Sequence, residues 1–398
     1  MKADRLPASA WRATAILGLA STADWYLFLA VFWIAAERGW SGSQLALLVL
    51  AGRLPTFVGG TLGGRAVDHF GPRAMLLFDA TVRGATFAGL TVIGVAGQDS
   101  YLVLIVASAI CGASSPITYA ACRVLMPMLV PASAWARGNA VLSLGDQLPV
   151  VLSALLVGPA LLWFGAGAYA VPLLLVLGAG LLALSGFRGI RLSHVRPSGQ
   201  DGRAGRIRGP SPWTASVVAL LTLSTAYYFV FGPFPPLLPV LVRDNLGGDA
   251  STYSLMRVAV GLGALCGLTL ATQLASFNRP GVVNAVGVVV YGLTLFPLVL
   301  MHSVAPAVVL YFVTGVVWGP YAAIEATALQ RWLPAGHLGR VFGTQRALSI
   351  TAIPLGGAIG SLALGAVSAS TVMGASAIAC SVVGGVALCV PALRRPST

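Results

Sequence analysis

Apolar stretches of about 20 residues follow one another almost end to end through this chain, each long enough to cross a ~30 Å hydrocarbon layer as a helix. Only 9% of the 398 residues are charged and 57% are hydrophobic, against roughly 25% charged in a soluble domain. A water-soluble fold cannot be made from this composition, and nothing is left over for a separate soluble domain. Apolar runs between polar punctuation predict helices over 12–36, 43–65, 74–96, 101–122, 139–163, 168–187, 214–240, 253–275, 282–303, 305–328, 341–366 and 371–392. The expected fold class is an all-α membrane protein with twelve transmembrane helices. Its expected organisation is a six-helix bundle over 1–187, a basic linker over 188–213 and a second six-helix bundle over 214–398.

Two sequence words tie the bundles together. Pro131-Ala132 with Arg137, in LVPASAWARGNA, is echoed 203 residues later by Pro334-Ala335 with Arg340, in WLPAGHLGRVFG. Each word follows one long apolar run and opens another, so the repeating unit is a bundle of hydrophobic helices. Duplicated membrane bundles are the architecture of many transporters, which makes a small-molecule substrate the expected partner.

Basic residues set the expected orientation. Of 24, all Arg but Lys2, 18 fall on alternate loops that are cytoplasmic if both termini are inside; Arg38 and Arg243 fall outside, and Arg53, Arg83, Arg257 and Arg346 within spans. The parse therefore places the protein in a bacterial inner membrane with both termini cytoplasmic and the first helix uncleaved. The net charge of +13 belongs to this topology; no basic run is interleaved with exposed aromatics, so nucleic acid is not an expected partner. Arg188, Arg191, Arg196, Arg203, Arg206 and Arg208 lie among Gly, Pro and Ser, a composition for a solvated linker attracted to anionic headgroups of the lipid bilayer.

No catalytic or metal centre is expected. His69, His194, His302 and His337 are scattered, and Cys111, Cys122, Cys266, Cys380 and Cys389 read as reduced packing residues without metal-ligand spacing. No HExxH or GxSxG is present, and no cofactor is called for.

Between helices 2 and 3 the sequence GGTLGGRAVDHFGPRAMLL sets Gly64, Asp68, Gly71 and Arg73 at the spacing G-x-x-x-D-x-x-G-x-R. This resembles the signature loop of the major facilitator superfamily, with His69 and Pro72 where basic residues are usual. Glycines there permit a tight turn, and Asp68 can face a helix N-terminus, which the resemblance implies is that of helix 11. In helix 5, Gly145, Ala154, Gly158 and Pro159 partly resemble the antiporter motif of drug-proton exchangers; Ala154, Leu162 and Trp163 replace its other glycines, and helix packing is the alternative role. LQRWLPAGHLGRVFG is similar to the loop between helices 10 and 11 in the enterobactin-exporter-like branch, and the resemblance extends over most of the chain. It implies the major facilitator fold of two pseudo-symmetric six-helix bundles, alternating access, export and a monomer.

Charges within apolar helices cost at least ~2.5–3.5 kcal/mol at the bilayer centre and so mark functional candidates. Asp24 on helix 1 is the first expected proton-coupling residue, with Arg53 on helix 2 as its ion-pair partner; the alternative is a permanent pair that orients helices. Glu325 is the second proton candidate. Asp79 and Arg83, four residues apart on helix 3, read as a structural pair on one helical face. Arg123, Asp146, Glu325 and Arg346 belong to helices 4, 5, 10 and 11, whose cytoplasmic tips meet in the outward-facing superfamily state, so Arg123 with Glu325 and Asp146 with Arg346 are expected gate pairs. Pairing within each half is the alternative. Arg257, near the outer end of helix 8, reads as snorkelling to the interface, with attraction of an anionic substrate as the alternative.

Helices 1 and 7 line the central cavity in the superfamily. Trp25, Tyr26 and Trp33 on helix 1, Tyr227, Tyr228 and Phe231 on helix 7, and Trp318 and Tyr321 on helix 10 are the expected cavity residues. Aromatic faces suit flat, amphipathic or cationic molecules. Pro233, Pro235 and Pro236 interrupt the hydrogen bonding of helix 7 and suit a flexible outer gate. The leading reading is proton-coupled export of a small amphipathic compound such as an antibiotic, drug or siderophore. A symporter or facilitator importing a small metabolite, and a transporter-like receptor, are the alternatives; scarce mid-span amides favour the apolar substrate.

Overall fold

The computed structural model describes residues 6–98, 100–131, 135–186, 213–270, 273–274, 277, 279–333 and 335–394. The linker over 187–212 lies outside them. The helices are α1 (Ala8–Glu37), α2 (Gly42–Phe70), α3 (Pro72–Val95), α4 (Tyr101–Leu129), α5 (Trp135–Phe164), α6 (Ala170–Gly186), α7 (Ala215–Phe231), α8 (Phe234–Asp244), α9 (Ala250–Leu268), α10 (Pro280–Leu298), α11 (Val304–Trp318), α12 (Tyr321–Trp332), α13 (Ala335–Ala363) and α14 (Ala369–Cys389). Among the described residues ten segments are long and apolar enough to cross a membrane. The more polar α2 and α13 complete the twelve-helix fold, in which α7 with α8 and α11 with α12 each form one span.

The two interrupted spans have a common cause. Gly232-Pro233 separates α7 from α8, and Gly319-Pro320 separates α11 from α12. Proline has no N–H to continue the ladder and its ring crowds the preceding turn. The first break is the one expected from the prolines of helix 7. The second was legible in Trp318-Gly319-Pro320, but a continuous span over 305–328 was expected.

Several helices outrun their apolar cores. α2 continues to Phe70, so Gly64 and Asp68 lie on its last turns and not in a loop; only Gly71 separates it from α3. Gly71 has φ 84°, a left-handed conformation open chiefly to glycine, and Pro72 starts α3 with its φ already set for a helix. Likewise α4 runs to Leu129 and α5 starts at Trp135, which leaves a connection shorter than the apolar runs alone imply.

The described residues form two compact units, one drawn from Met1–Phe32 and Ala51–Asp201, the other from Trp33–Leu50 and Gly202–Thr398. Lipid offers helices no hydrophobic reason to associate, so close packing through small residues holds them together. In the first unit α2 meets α4 where a Cβ on Gly59 would lie 1.9 Å from the Ala113 carbonyl oxygen, and α1 meets α5 where one on Gly145 would lie 2.7 Å from that of Thr14. α3 meets α6 at Gly180 against Ala80. A core from all six helices, including Ile16, Val67, Leu76, Leu125, Leu142 and Ala183, fills one end of this unit.

The second unit repeats the same pairings. α9 meets α11 through Gly263, Gly267, Gly315 and Gly319, α7 meets α13 where a Cβ on Gly356 would lie 1.8 Å from the Phe229 carbonyl oxygen, and α10 meets α14 at Gly292 and Gly384. The end of α1 and the start of α2 pack on this unit: a Cβ on Gly42 would lie 1.9 Å from the Ser361 carbonyl oxygen, and Trp33 stacks on Tyr253 at 5.9 Å.

Candidate functional site

In the first unit one guanidinium serves two acids. Asp79 and Arg83 face the same way on α3 because four residues make about one helical turn, and they form a direct ion pair, both side chains 1% exposed. The same Asp79 oxygen accepts from the Thr118 hydroxyl on α4. Arg83 Nη1 turns to α1, donating to the Ala20 carbonyl at 3.1 Å and to Asp24 Oδ1 at 2.9 Å. Ser115 on α4 donates to the other Asp24 oxygen at 2.6 Å. Asp24 is the accessible member, its side chain 21% exposed.

The sequence named Arg53 as the partner of Asp24; the structure gives Asp24 a direct ion pair with Arg83. Arg53 lies with its guanidinium carbon 4.5 Å from the Phe28 ring centre and 5.1 Å from that of Trp25, a cation held over aromatic faces. The pairing of Asp79 with Arg83 is correct, yet it is not self-contained. The i, i+4 spacing satisfied both residues locally and hid their role in a larger cluster. Ser115 and Thr118, which complete it, carry no signal until α4 is known to pack on α3.

Electrostatically, Asp79 already neutralises Arg83. Either charge of that buried pair alone would be uncompensated in a low-dielectric interior. Asp24 is the carboxylate of this cluster that reaches accessible space.

In the second unit the acid is held by uncharged polar groups. Glu325 on α12 is fully buried and accepts a hydrogen bond from Ser224 on α7. The Tyr321 hydroxyl, one turn before Glu325, is 2.9 Å from the same Ser224 oxygen. Tyr227 sits among the rings of Tyr228, Tyr291, Tyr321 and Phe231, with centroids 5.1, 5.4, 5.0 and 6.3 Å away. The break at Gly319-Pro320 starts α12 at Tyr321 and brings its ring beside α7.

The expected cavity residues divide by burial. Tyr26 is fully buried, its hydroxyl donating to the Ala168 carbonyl at 2.9 Å, so it anchors the turn before α6 and is not a cavity wall. Trp33, Tyr227 and Tyr321 are also buried within the second unit. Trp25, Tyr228 and Phe231 are half-buried and Trp318 is exposed.

Among the remaining expectations, Arg123 is exposed and lies 4.7 Å over the Tyr119 ring. The side chains of Asp68, Asp146 and Arg346, and the surroundings of Gly64, lie outside the described residues. Arg73 donates to the Leu184 carbonyl at 3.0 Å, placing a cation at the C-terminal end of α6 where the helix dipole favours it. Gly145 has a packing role against α1; Gly158 is buried, and α5 continues through Pro159 to Phe164.

Two bundles with one scheme of helix pairing, each burying an acid among polar partners within an apolar span, define a multi-pass membrane transporter. The chain matches the family described as Major Facilitator Superfamily over residues 14–235 and belongs to it. It is 27% identical to the multidrug efflux pump Tap of Mycobacterium tuberculosis, covering 95% of this chain and 92% of that one. The multidrug efflux pump Tap of Mycolicibacterium fortuitum is 22% identical over 81% of each chain. Among solved structures, an inward-facing, occupied bacterial homolog of the human lysosomal transporter Spinster superposes with TM-score 0.72 at 12% identity, covering 96% of both chains. A D-xylose-proton symporter gives 0.66 at 16% identity over 96% of both chains. These two likenesses are of fold.

Proposed function

We propose that this chain is a proton-coupled exporter of small amphipathic compounds, working by alternating access, with Asp24 as the carboxylate that exchanges protons. The observation that carries the proposal is the arrangement around Arg83: an accessible acid bonded to a guanidinium that a second, buried acid already balances. Such an acid can be ionised when its side of the protein is open to a basic compartment and protonated when it is open to an acidic one, without unmasking a buried charge. The likeness to the Tap efflux pumps supports outward transport of drug-like molecules. Half-buried Trp25, Tyr228 and Phe231 offer apolar faces suited to them. On this reading the protein is a monomer in a bacterial cytoplasmic membrane, with both termini inside as the arginine distribution indicates.

Everted membrane vesicles test the proposal. A panel of amphipathic antibiotics, dyes and siderophores is added to energised vesicles carrying the wild type or Asp24→Asn, and proton movement is followed with a pH-sensitive dye. Compound-triggered proton release from the lumen is expected for the wild type and not for Asp24→Asn. Equal release by both keeps antiport and moves the proton site, with Glu325 next in line.

A further inference from the structure

Arg257 and Glu325 are both charged residues of the second unit, yet the structure does not pair them. Arg257 lies on α9, seven residues in from its start, which puts it about 10 Å along the helix axis. Tyr311 on α11 is seven residues from the start of its helix, and Tyr291 on α10 is seven from its end. Glycine contacts hold α9 against α11, and the equal offsets from the helix starts set Arg257 and Tyr311 at one depth.

A guanidinium cannot shed its proton, so a charge at this depth needs acceptors. Arg257 is hydrogen-bonded to the Tyr311 hydroxyl, and among the described residues no carboxylate pairs with it. Its side chain is half-buried, and its Nε is buried without an acceptor. One turn earlier on the same helix, Tyr253 is 1% exposed and its hydroxyl also has no partner. Four residues apart on one helix, Tyr253 and Arg257 set these two unsatisfied donors on the same face. Trp33 covers the Tyr253 ring, stacked at 5.9 Å and 21°.

We propose that Arg257, Tyr253 and Tyr311 form a subsite for an anionic oxygen, and that the exported compounds include amphipathic molecules bearing a carboxylate. The inference rests on the transport reading above but assigns the subsite separately. The carboxylate accepts from Arg257 Nε and the Tyr253 hydroxyl, and the charge of the guanidinium is met by the ligand.

The test compares two probes that differ in one group: dansylglycine, a carboxylate, and dansylglycinamide, its neutral amide. Binding to the purified full chain in phosphatidylcholine nanodiscs is read by energy transfer from tryptophan to dansyl. Dansylglycine is expected to bind the wild type about tenfold or more tighter than the amide. Arg257→Gln is expected to abolish that preference, and Tyr253→Phe, which removes one hydroxyl, to reduce it a few-fold. Equal binding of both probes by the wild type overturns the proposal. So does an unchanged preference in folded Arg257→Gln or, should that variant not fold, in Tyr253→Phe. Replacing part of the lipid with phosphatidylglycerol separates the sources of the anion: loss of dansylglycine binding on that replacement assigns the subsite to lipid headgroups and overturns its assignment to exported compounds. A wild type that shows the carboxylate preference but moves no protons in vesicles keeps the subsite and removes the antiport reading.

Discussion

The two units share one scheme of helix pairing but stabilise buried polar groups by different means. In the first, charge answers charge: Arg83 on α3 binds Asp79 on its own helix and Asp24 on α1, with Thr118 and Ser115 of α4 filling the remaining sites. In the second, uncharged groups do the work: Ser224 donates to Glu325 and is bonded in turn to Tyr321, Gln345 also meets the acid, and Tyr311 attends Arg257. Helix continuity follows the same division. α1 and α4 run unbroken through the charge cluster, while their counterparts in the repeat are split at Gly232-Pro233 and Gly319-Pro320. Ion pairs fix a geometry because each partner is costly to leave alone. Hydroxyls both donate and accept and can rotate, so they tolerate helices that bend.

The largest difference between the units is expected from removing one charge in each. Arg83→Gln leaves two acids without their cation and should cost about 3–5 kcal/mol, seen as a large drop in thermal stability of the purified protein in detergent. Glu325→Gln keeps a group that hydrogen-bonds to Ser224 and should cost no more than about 1 kcal/mol. Replacing both Asp79 and Arg83 with leucine should recover most of the loss caused by Arg83→Gln. Equal losses from Arg83→Gln and Glu325→Gln would end the distinction between a charge-locked and a hydroxyl-buffered half.

Helix seams, by contrast, should respond alike in both units. Gly59→Ala in the first and Gly267→Ala in the second each place a methyl about 2 Å from a backbone carbonyl, at 1.9 Å from Ala113 and 2.0 Å from Val316. Each should cost about 1–3 kcal/mol. Gly89, with nothing within 4 Å of its would-be Cβ, should accept alanine without loss. A seam that matters in only one unit would show that the shared pairing conceals unequal packing.

Spans and duplication were legible in the sequence because hydrophobic length and arginine distribution respond directly to a bilayer. Helix ends were less so, since α2 and α4 continue past their apolar cores until Gly71 and Val130 stop them. The first-unit cluster was half visible: Asp24, Asp79 and Arg83 stand out as charges in apolar helices. Their assembly depends on α1, α3 and α4 packing together, information that no local spacing carries, and so Arg83 was not named as a partner of Asp24. Tyr311 gave no cue at all, being an ordinary aromatic until the glycine seam between α9 and α11 sets it beside Arg257.

A smaller contrast lies at the starts of two corresponding helices. α2 opens with a neutral reciprocal cap, in which the Ser41 N–H donates to the Gln44 side chain at 2.9 Å and the Gln44 N–H to Ser41 Oγ at 3.4 Å. α9 opens on Asp249, whose carboxylate accepts from the Thr252 N–H at 2.9 Å and the Ser251 hydroxyl at 2.7 Å. Hydrogen bonds from Ser251 first, then Thr252, hold the Asp249 carboxyl below the usual carboxylate range. Ser41→Ala and Asp249→Ala should each cost about 1 kcal/mol at neutral pH. A depressed folded-state value means that the ionised cap stabilises above the unfolded carboxylate value and loses that contribution as pH falls through the folded one. Thermal melts in acid should therefore narrow the gap between wild type and Asp249→Ala and leave that for Ser41→Ala unchanged. Parallel pH profiles would show that ionisation of Asp249 adds nothing to its cap.

The smallest expected effects discriminate most finely between the two ways of holding polar groups. Tyr26→Phe in the first unit removes the one bond that satisfies its hydroxyl, to the Ala168 carbonyl, and should cost about 0.6 kcal/mol, typical of a bond between membrane helices. Tyr321→Phe in the second unit should cost less, because Ser224 keeps Glu325 as its acceptor. A double-mutant cycle of Tyr321→Phe with Ser224→Ala isolates that pair. A coupling of only a few tenths of a kcal/mol fits hydroxyls that exchange partners freely. A coupling several times larger would make this cluster as rigid as the one around Arg83, and the broken helices α7 and α11 would then need another source of compliance.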